Sequence, residues 1–424
     1  MPGPRIYADY NATAPLRPEA REAMARALAL TGNASSVHAE GRKARAAVEA
    51  AREQVAAAIG ACRDDIAFTS GGTEAVAAPI RGALKAVGRG TTLMASGIEH
   101  DAVASIIEAH AKIAAEVQGG VWKNLMEDPE NPELRMLAAS EAGRMETVAV
   151  PLSTWPVLAD GRVDLEFLRV AMKGAATIPH IRPIVSLMLV NNETGVIQPV
   201  AEAAALVHAA GGLIHCDAIQ GLGKIEVSIT ELDVDYLSLS AHKVGGPQGV
   251  GAFYVKPGAP FASVQTGGGQ EFGRRAGTEN VAGVVGFGAA AEAAVAGLGQ
   301  YEALRAHRDA MEERLFDAVP GLAIHGEKAP RVAGVSCFGV EGLPSETQIM
   351  GLDLAGFAVS AGSACSSGKV KPSRVLTAMG LNDTAARSAI RASFGWASTA
   401  ADFEALADAW LKMAARARPQ LVNA

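Results

Sequence analysis

Apolar positions in the first two-thirds of this chain switch between two periods. Short segments read as strands: Ile66–Thr69, Thr91–Ser96, Thr147–Val150, Pro183–Val190, Gly212–Asp217 and Tyr236–Ser240, of which Pro183–Val190 is a continuous apolar run, as in a strand covered on both faces, and Tyr236–Ser240 alternates. Segments with a helical period lie between them: Pro18 to Leu30, Gly41 to Ile59 (Ala46, Val48, Val55 and Ile59 inward), a stretch ending near Val87, another near Ala115, Asp164–Ala175 and Val200–Ala210. That alternation predicts an α/β fold with a largely parallel sheet covered on both sides. Ile6–Pro15 reads as an irregular arm, and the polar, proline-containing stretch Gln118–Arg144 as a surface insertion. From Lys256 the texture changes. A loop rich in glycine and arginine (Gly267–Asn280) leads into helices from Val281 to about Leu298 and from Tyr301 to Val319. Strands near Leu322–Ile324, Val332–Phe338 and Ala389–Phe394, with helices over Ser345–Leu354 and from Ala400, then read as a smaller α+β unit.

Four of the predicted strands end in polar side chains, at Thr69–Thr73, Asn191–Asn192, Asp217–Gln220 and Ser240–Lys243. The carboxyl ends of strands in an open α/β sheet form its ligand crevice. Lys243 is the most informative of these residues. It finishes an apolar strand and precedes Val244-Gly-Gly-Pro247, where the chain turns. A desolvated ammonium is costly, so such a lysine either reaches solvent or works as an amine. Burial lowers the pKa of an amine and makes it a nucleophile towards carbonyls, as a Schiff base to pyridoxal phosphate requires. Ser240 and His242 lie beside it for a phosphate, and Asp217 could keep a pyridine nitrogen protonated. Ser70-Gly-Gly-Thr73 reads either as an anion site at a helix N-terminus or as a plain cap with Thr73 as capping residue. His100, just past a strand end, reads either as a ligand-facing ring or as a hydrogen-bonded loop residue.

Composition narrows the partners. A length of 424 residues exceeds one ordinary core, and 49 % hydrophobic residues can bury a large one. The formal net charge of −7 and the lack of a basic block argue against nucleic acid. No apolar stretch reaches bilayer length and the start lacks a signal-peptide core, so the expectation is a cytoplasmic protein without a membrane partner. Four cysteines make no disulfide framework and no zinc motif. Cys216 and Cys337 lie in apolar strands, whereas Cys365 lies among Ser, Ala and Gly, either as an exposed nucleophile or as a chance thiol.

Taken together, these residues resemble the cysteine desulfurases of the NifS/IscS type, within the class V aminotransferase family of fold-type I pyridoxal-phosphate enzymes. The resemblance rests on Asp9-Tyr-Asn-Ala-Thr13, Asn33–His38, Ser70–Ala75, Glu99-His100, Asn191–Gly195, Asp217–Gln220, Ser240–Lys243, Gly277-Thr278, Ser360–Gly368 and Ile390-Arg391. It implies an arm (1–15) packing on a small domain, a large cofactor-binding domain (16–258) with a mainly parallel seven-stranded sheet and an insertion near 118–144, and a small α+β domain (259–424). A catalytic cysteine loop would span about 358–371.

The same resemblance implies the roles. Lys243 would carry pyridoxal 5'-phosphate and shuttle the substrate Cα proton, and His100 would stack on the ring and do acid–base work. Asp217 and Gln220 would hold the ring nitrogen and hydroxyl. Gly72, Thr73, Ser240 and His242 would hold the phosphate, joined by Thr278 from a neighbouring subunit in a homodimer. Arg391, Asn192 and Asn33 would bind substrate. L-cysteine would leave as L-alanine, and Cys365 would take its sulfur as a persulfide for an acceptor protein serving iron–sulfur or thio-cofactor synthesis. The chain departs from relatives at Val76-Ala77-Ala78, where asparagine is usual, at Ala34 in place of proline, and in the longer 118–144 segment. A selenocysteine lyase or a transaminase would share Lys243 and Asp217 without needing Cys365.

Overall fold

The computed structural model describes residues 5–88, 91–110, 154–178, 180–362 and 372–421. The predicted strand Thr147–Val150, the whole predicted 118–144 insertion and Cys365 fall outside these residues. The described strands are β1 Ile6–Tyr7, β2 Ile66–Thr69, β3 Thr91–Ser96, β4 Thr154–Trp155, β5 Arg182–Met188, β6 Leu213–Asp217, β7 Tyr236–Ser240 and β8 Gly251–Val255. They continue with β9 Leu322–Ile324, β10 Val335–Val340, β11 Phe357–Ala358 and β12 Ala389–Ser393.

Seven of them form one sheet in the order β2-β8-β7-β6-β5-β3-β4. The pairs β3–β4, β3–β5, β5–β6 and β6–β7 are parallel, and β8 runs antiparallel to both β2 and β7. This is the mainly parallel seven-stranded sheet that the resemblance implies. Every residue of β6, β7 and β8 is buried, polar His215 and Ser238 included, as strands covered on both faces require; β8 was not among the predicted strands. β2 and β7 point the same way, because each is antiparallel to β8. The carboxyl ends of β2, β3, β5, β6 and β7 therefore open on one edge, and this edge holds the polar strand ends.

Helices Pro18–Leu28 and Ala39–Ala57 pack against the glycine-rich helix Val281–Ala296. A Cβ at Gly286 would stand 2.5 Å from Met24 Cγ, and one at Gly288 would stand 2.8 Å from Ala51 Cα. The glycines thus set the close approach of the helices. Beyond them, β9, β10 and β12 make an antiparallel sheet backed by helices Leu298–Ala318, Ser345–Leu354 and Ala400–Ala417. Its core includes Phe394 stacked on Phe403 with ring centroids 3.7 Å apart, and Phe338 edge-on to Trp410.

Several predicted boundaries move. The second helix starts at Ala39, because the His38 ring accepts the Gly41 N–H. β10 lies at Val335–Val340 rather than Val332–Phe338, since Val332 and Ala333 lead into the pairing without joining it. The arm is less irregular than expected: β1 pairs in parallel with β11, and Asp9 bridges to Ser393. No single described helix is long and apolar enough to cross a membrane.

Candidate active site

β7 ends at Ser240, and a single 3-10 turn, Ala241–Lys243, follows. The turn is pinned from both sides: Ala241 N–H donates to Val250 O at 3.1 Å, and Gly246 N–H donates to Ala241 O at 2.9 Å. Lys243 Nζ donates to the main-chain oxygens of Asn11 (2.7 Å) and Ala12 (2.8 Å). Burial, helped by the charge of Arg391, brings its pKa down to about 8, against the opposing pull of Asp9 and Asp217. Neighbouring His242 is lowered to about 4 by burial and by Lys243.

β6 ends at Asp217, whose Oδ1 accepts the Ile219 N–H at 3.0 Å. Burial raises this carboxyl, while His100 and Lys243 draw it down. A protonated ring nitrogen is the kind of partner that would relieve the burial cost. Gln220 is held by the Lys224 ammonium at Oε1, and its Nε2 donates to Asn11 O at 3.0 Å. After β2, Gly71 takes φ +152° and caps the helix Gly72–Val87. Thr73 is therefore the second helical residue, not the cap that the Ser-Gly-Gly-Thr pattern allowed. A glycine can make this turn with its φ, and the threonine hydroxyl is left for a ligand.

Beyond β5, Asn191 Oδ1 accepts the N–H groups of Glu193 (3.0 Å) and Thr194 (2.9 Å), shaping the turn that presents Asn192. From β12, Arg391 Nη1 donates to Asn192 O at 3.0 Å and Nη2 to Asp9 Oδ1 at 2.7 Å. Its Nε is buried and has no partner among the described residues. His100 opens the helix at 101–110, with Nδ1 accepting the Ala102 N–H at 3.1 Å. Both readings of His100 thus meet in one residue, which is hydrogen-bonded locally and also faces the cavity.

One cavity of about 390 Å³ is lined by Lys243, Asp217, Gln220, His100, Asn192 and Arg391. Gly72, Thr73, Ser240 and His242 form part of the same wall, as do Ser360, Ala361 and Gly362. Ten of the predicted site residues are thereby brought together. Asn33 and Thr278 are exposed and lie outside the cavity. Asn33 instead turns its Oδ1 to the Ser35 N–H.

The model of the family described as aminotransferase class-V matches residues 6–119 and 136–406. A cysteine desulfurase of Cereibacter sphaeroides is 40% identical over 404 residues, covering 95% of this chain and 94% of its own. The chain belongs to the class-V aminotransferases, among the NifS-type cysteine desulfurases.

Solved structures agree. A NifS-like protein from Rickettsia africae superposes with a TM-score of 0.78 at 27% identity, over 96% of this chain and 99% of its own. SspA, solved in complex with cysteine, gives 0.69 at 26% identity, over 92% and 98%. The cofactor of the family is pyridoxal 5'-phosphate, and the cavity fits it. Ser240 Oγ is buried with no partner among the described residues, as suits a hydroxyl set to bind a phosphate. A Cβ on Gly72 would come within 3.0 Å of Ile219 Cδ1 and 3.1 Å of Ser240 Cβ, so the glycine keeps open the space next to the helix N-terminus. Asp217 and Lys243 supply the carboxylate and the amine such a ring requires.

The residue reading missed what the arm contributes. Asn11 gives its main-chain oxygen to Lys243 and Gln220, its Nδ2 donates to Asn192 O at 2.9 Å, and its Oδ1 accepts from Lys224 at 2.6 Å. Asp9 pairs with Arg391 and accepts from Ser360 Oγ at 2.8 Å. Asp9 and Asn11, polar residues in the arm, were the available signal. Their partners lie hundreds of residues away, so no local pattern could supply the role.

Proposed function

We propose that this chain converts L-cysteine to L-alanine and passes the sulfur, as a persulfide on Cys365, to an acceptor protein. The observation that carries the reading is one cavity holding both an amine of lowered pKa, Lys243, and a buried guanidinium, Arg391. An amino acid presents its Cα–H and its carboxylate together, and such a pair of groups suits both.

When bound, pyridoxal 5'-phosphate supplies an electron sink that lets the Cα–H and C–S bonds of cysteine break. The chain's own residues do the rest. Lys243 would hold the cofactor, and its free Nζ would take the substrate Cα proton and return it. The Asn11 and Ala12 oxygens that hold Nζ give the free amine a resting place beside the cavity. Arg391, with its free Nε edge, and Asn192 orient the substrate carboxylate, a task suited to a planar fork. His100 would cover the ring, Asp217 would keep its nitrogen protonated, Gln220 would meet its hydroxyl, and Gly72, Thr73, Ser240 and His242 would hold the phosphate.

Cys365, as a thiolate, attacks the substrate sulfur: the S–S bond forms as C–S breaks, and the electron pair stays with the carbon skeleton that becomes alanine. Gly362 lines the cavity, and Cys365 follows it by three positions in the chain. A homodimer with Thr278 reaching the neighbouring site, Asn33 assisting with substrate, and a cytoplasmic setting complete the proposal.

The test is Cys365→Ala assayed with cysteine under limiting reductant. Sulfur release should fall roughly a hundredfold or more, with the cofactor absorbance retained. Full-rate release would overturn the persulfide route and favour a lyase that does without the thiol.

A further inference from the structure

On the other side of Lys243 lies a second cavity of about 250 Å³, and Lys243 lines both. Its walls carry three basic side chains, Arg17, Lys224 and Lys243, and among the described residues that line it there is no carboxylate. The chain's other deeply buried cations are treated differently. Arg52 pairs with Glu271, Arg331 with Glu312, and Arg391 with Asp9. A buried cation is costly unless it is paired.

Lys224 is only 6% exposed, yet its Nζ donates to two neutral oxygens, Asn11 Oδ1 at 2.6 Å and Gln220 Oε1. An ammonium carries three N–H donors, so one has no acceptor among the described residues. Burial, Lys243 and Arg391 all push its pKa well down, and no opposing charge offsets them. Arg17 uses Nε on Val244 O at 2.9 Å, and its guanidinium stands 5.2 Å from the centre of the Trp396 ring. It too has no ion pair among the described residues, which leaves its Nη donors for a ligand. Tyr10, Gln300 and Ser398 add neutral polar groups to the same wall.

We propose that this cavity binds a small oxyanion, of the size and charge of inorganic sulfate or phosphate, held by Lys224 and Arg17. The site differs from the cofactor's phosphate cradle, which Gly72, Thr73 and Ser240 form in the other cavity. Guanidinium and ammonium donors together suit a tetrahedral oxyanion, and a cavity of about 250 Å³ has room for one. An occupant here would sit against the stem of the lysine that the reaction uses. The inference stands apart from the desulfurase reading, because binding is measured without turnover.

The experiment is calorimetric titration of the cofactor-loaded protein with sodium sulfate and, separately, sodium phosphate, against sodium chloride at equal ionic strength. Saturable binding of one ion per chain is expected. Arg17→Gln and Lys224→Met should each weaken it tenfold or more. Arg17 is only partly buried, so its variant retains a testable fold even if Lys224→Met does not. No saturable heat from the unmodified protein would overturn the proposal, as would equal affinity in the Arg17→Gln protein. Binding seen in cofactor-free protein but lost on loading with pyridoxal phosphate would also overturn it, since the ion would then have occupied the cofactor's own cradle.

Discussion

Glu99 stands next to His100, and its carboxyl is buried. Oε1 accepts from Ser96 Oγ at 2.6 Å and from the Met188 N–H at 2.9 Å, while Oε2 has no partner among the described residues. Burial, assisted by Asp217, pushes its pKa up to about 8. A carboxyl raised in the folded state binds its proton more tightly there than in the unfolded chain. Its stabilising contribution is complete below the usual glutamate pKa and is lost as pH rises through about 8. Each unit of such a shift is worth about 1.4 kcal/mol. Glu99→Gln keeps the shape and removes the titration. In cofactor-free protein, the melting temperature of the variant should exceed that of the unmodified protein at pH 8, and the two curves should converge near pH 5. Parallel curves across that range would show that Glu99 does not carry the raised pKa. At this scale Lys243, Asp217 and Arg391 were legible in the sequence, because a charged residue at the end of, or inside, an apolar strand is an anomaly that asks for a partner. Glu99 and Lys224 were not, since neither sits in an unbroken apolar run and only packing buries them.

Among the elements, the junction of β2 with the helix Gly72–Val87 joins backbone to chemistry most directly. The helix N-terminus presents its free N–H groups at the cavity, and Gly72 leaves room for what they bind. Gly72→Ala would place a Cβ 3.0–3.2 Å from Ile219 Cδ1 and from Ser240 Cβ and Oγ. The expected result is roughly tenfold weaker retention of pyridoxal phosphate in equilibrium dialysis, about 1.4 kcal/mol, with little change in cofactor-free melting. Unchanged retention would remove Gly72 from the phosphate cradle. The helix itself was readable from its period, but its cap was not. The sequence allowed Thr73 as the cap, and the positive φ at Gly71 places the cap there instead. The arm shows the opposite case. Its two-residue strand β1 is too short for any period to reveal, and it exists because β11 lies ready to pair with it.

At the scale of the whole molecule, the exposure of Thr278 bears on the proposed assembly. If this residue serves the phosphate of a neighbouring subunit, light scattering should report a mass near twice the 43.5 kDa of one chain, and Thr278→Val should loosen the cofactor. A mass of one chain at micromolar concentration would remove the shared site. The alternation of apolar runs and helical periods determined the α/β class and the mainly parallel sheet, since burial on both faces leaves its mark within each segment. The ordered set of polar strand ends likewise pointed to one crevice and to an amine-based chemistry. Tertiary structure alone decided which groups hold those residues in place: Asp9 on Arg391, and the oxygens of Asn11 and Ala12 on Lys243. It also decided that three basic side chains share a cavity without a carboxylate among its described walls. The physical reason is range. Hydrophobic period acts between neighbours a few residues apart, whereas hydrogen bonds and buried charge join whatever the fold brings within about 3 Å, however distant in the chain.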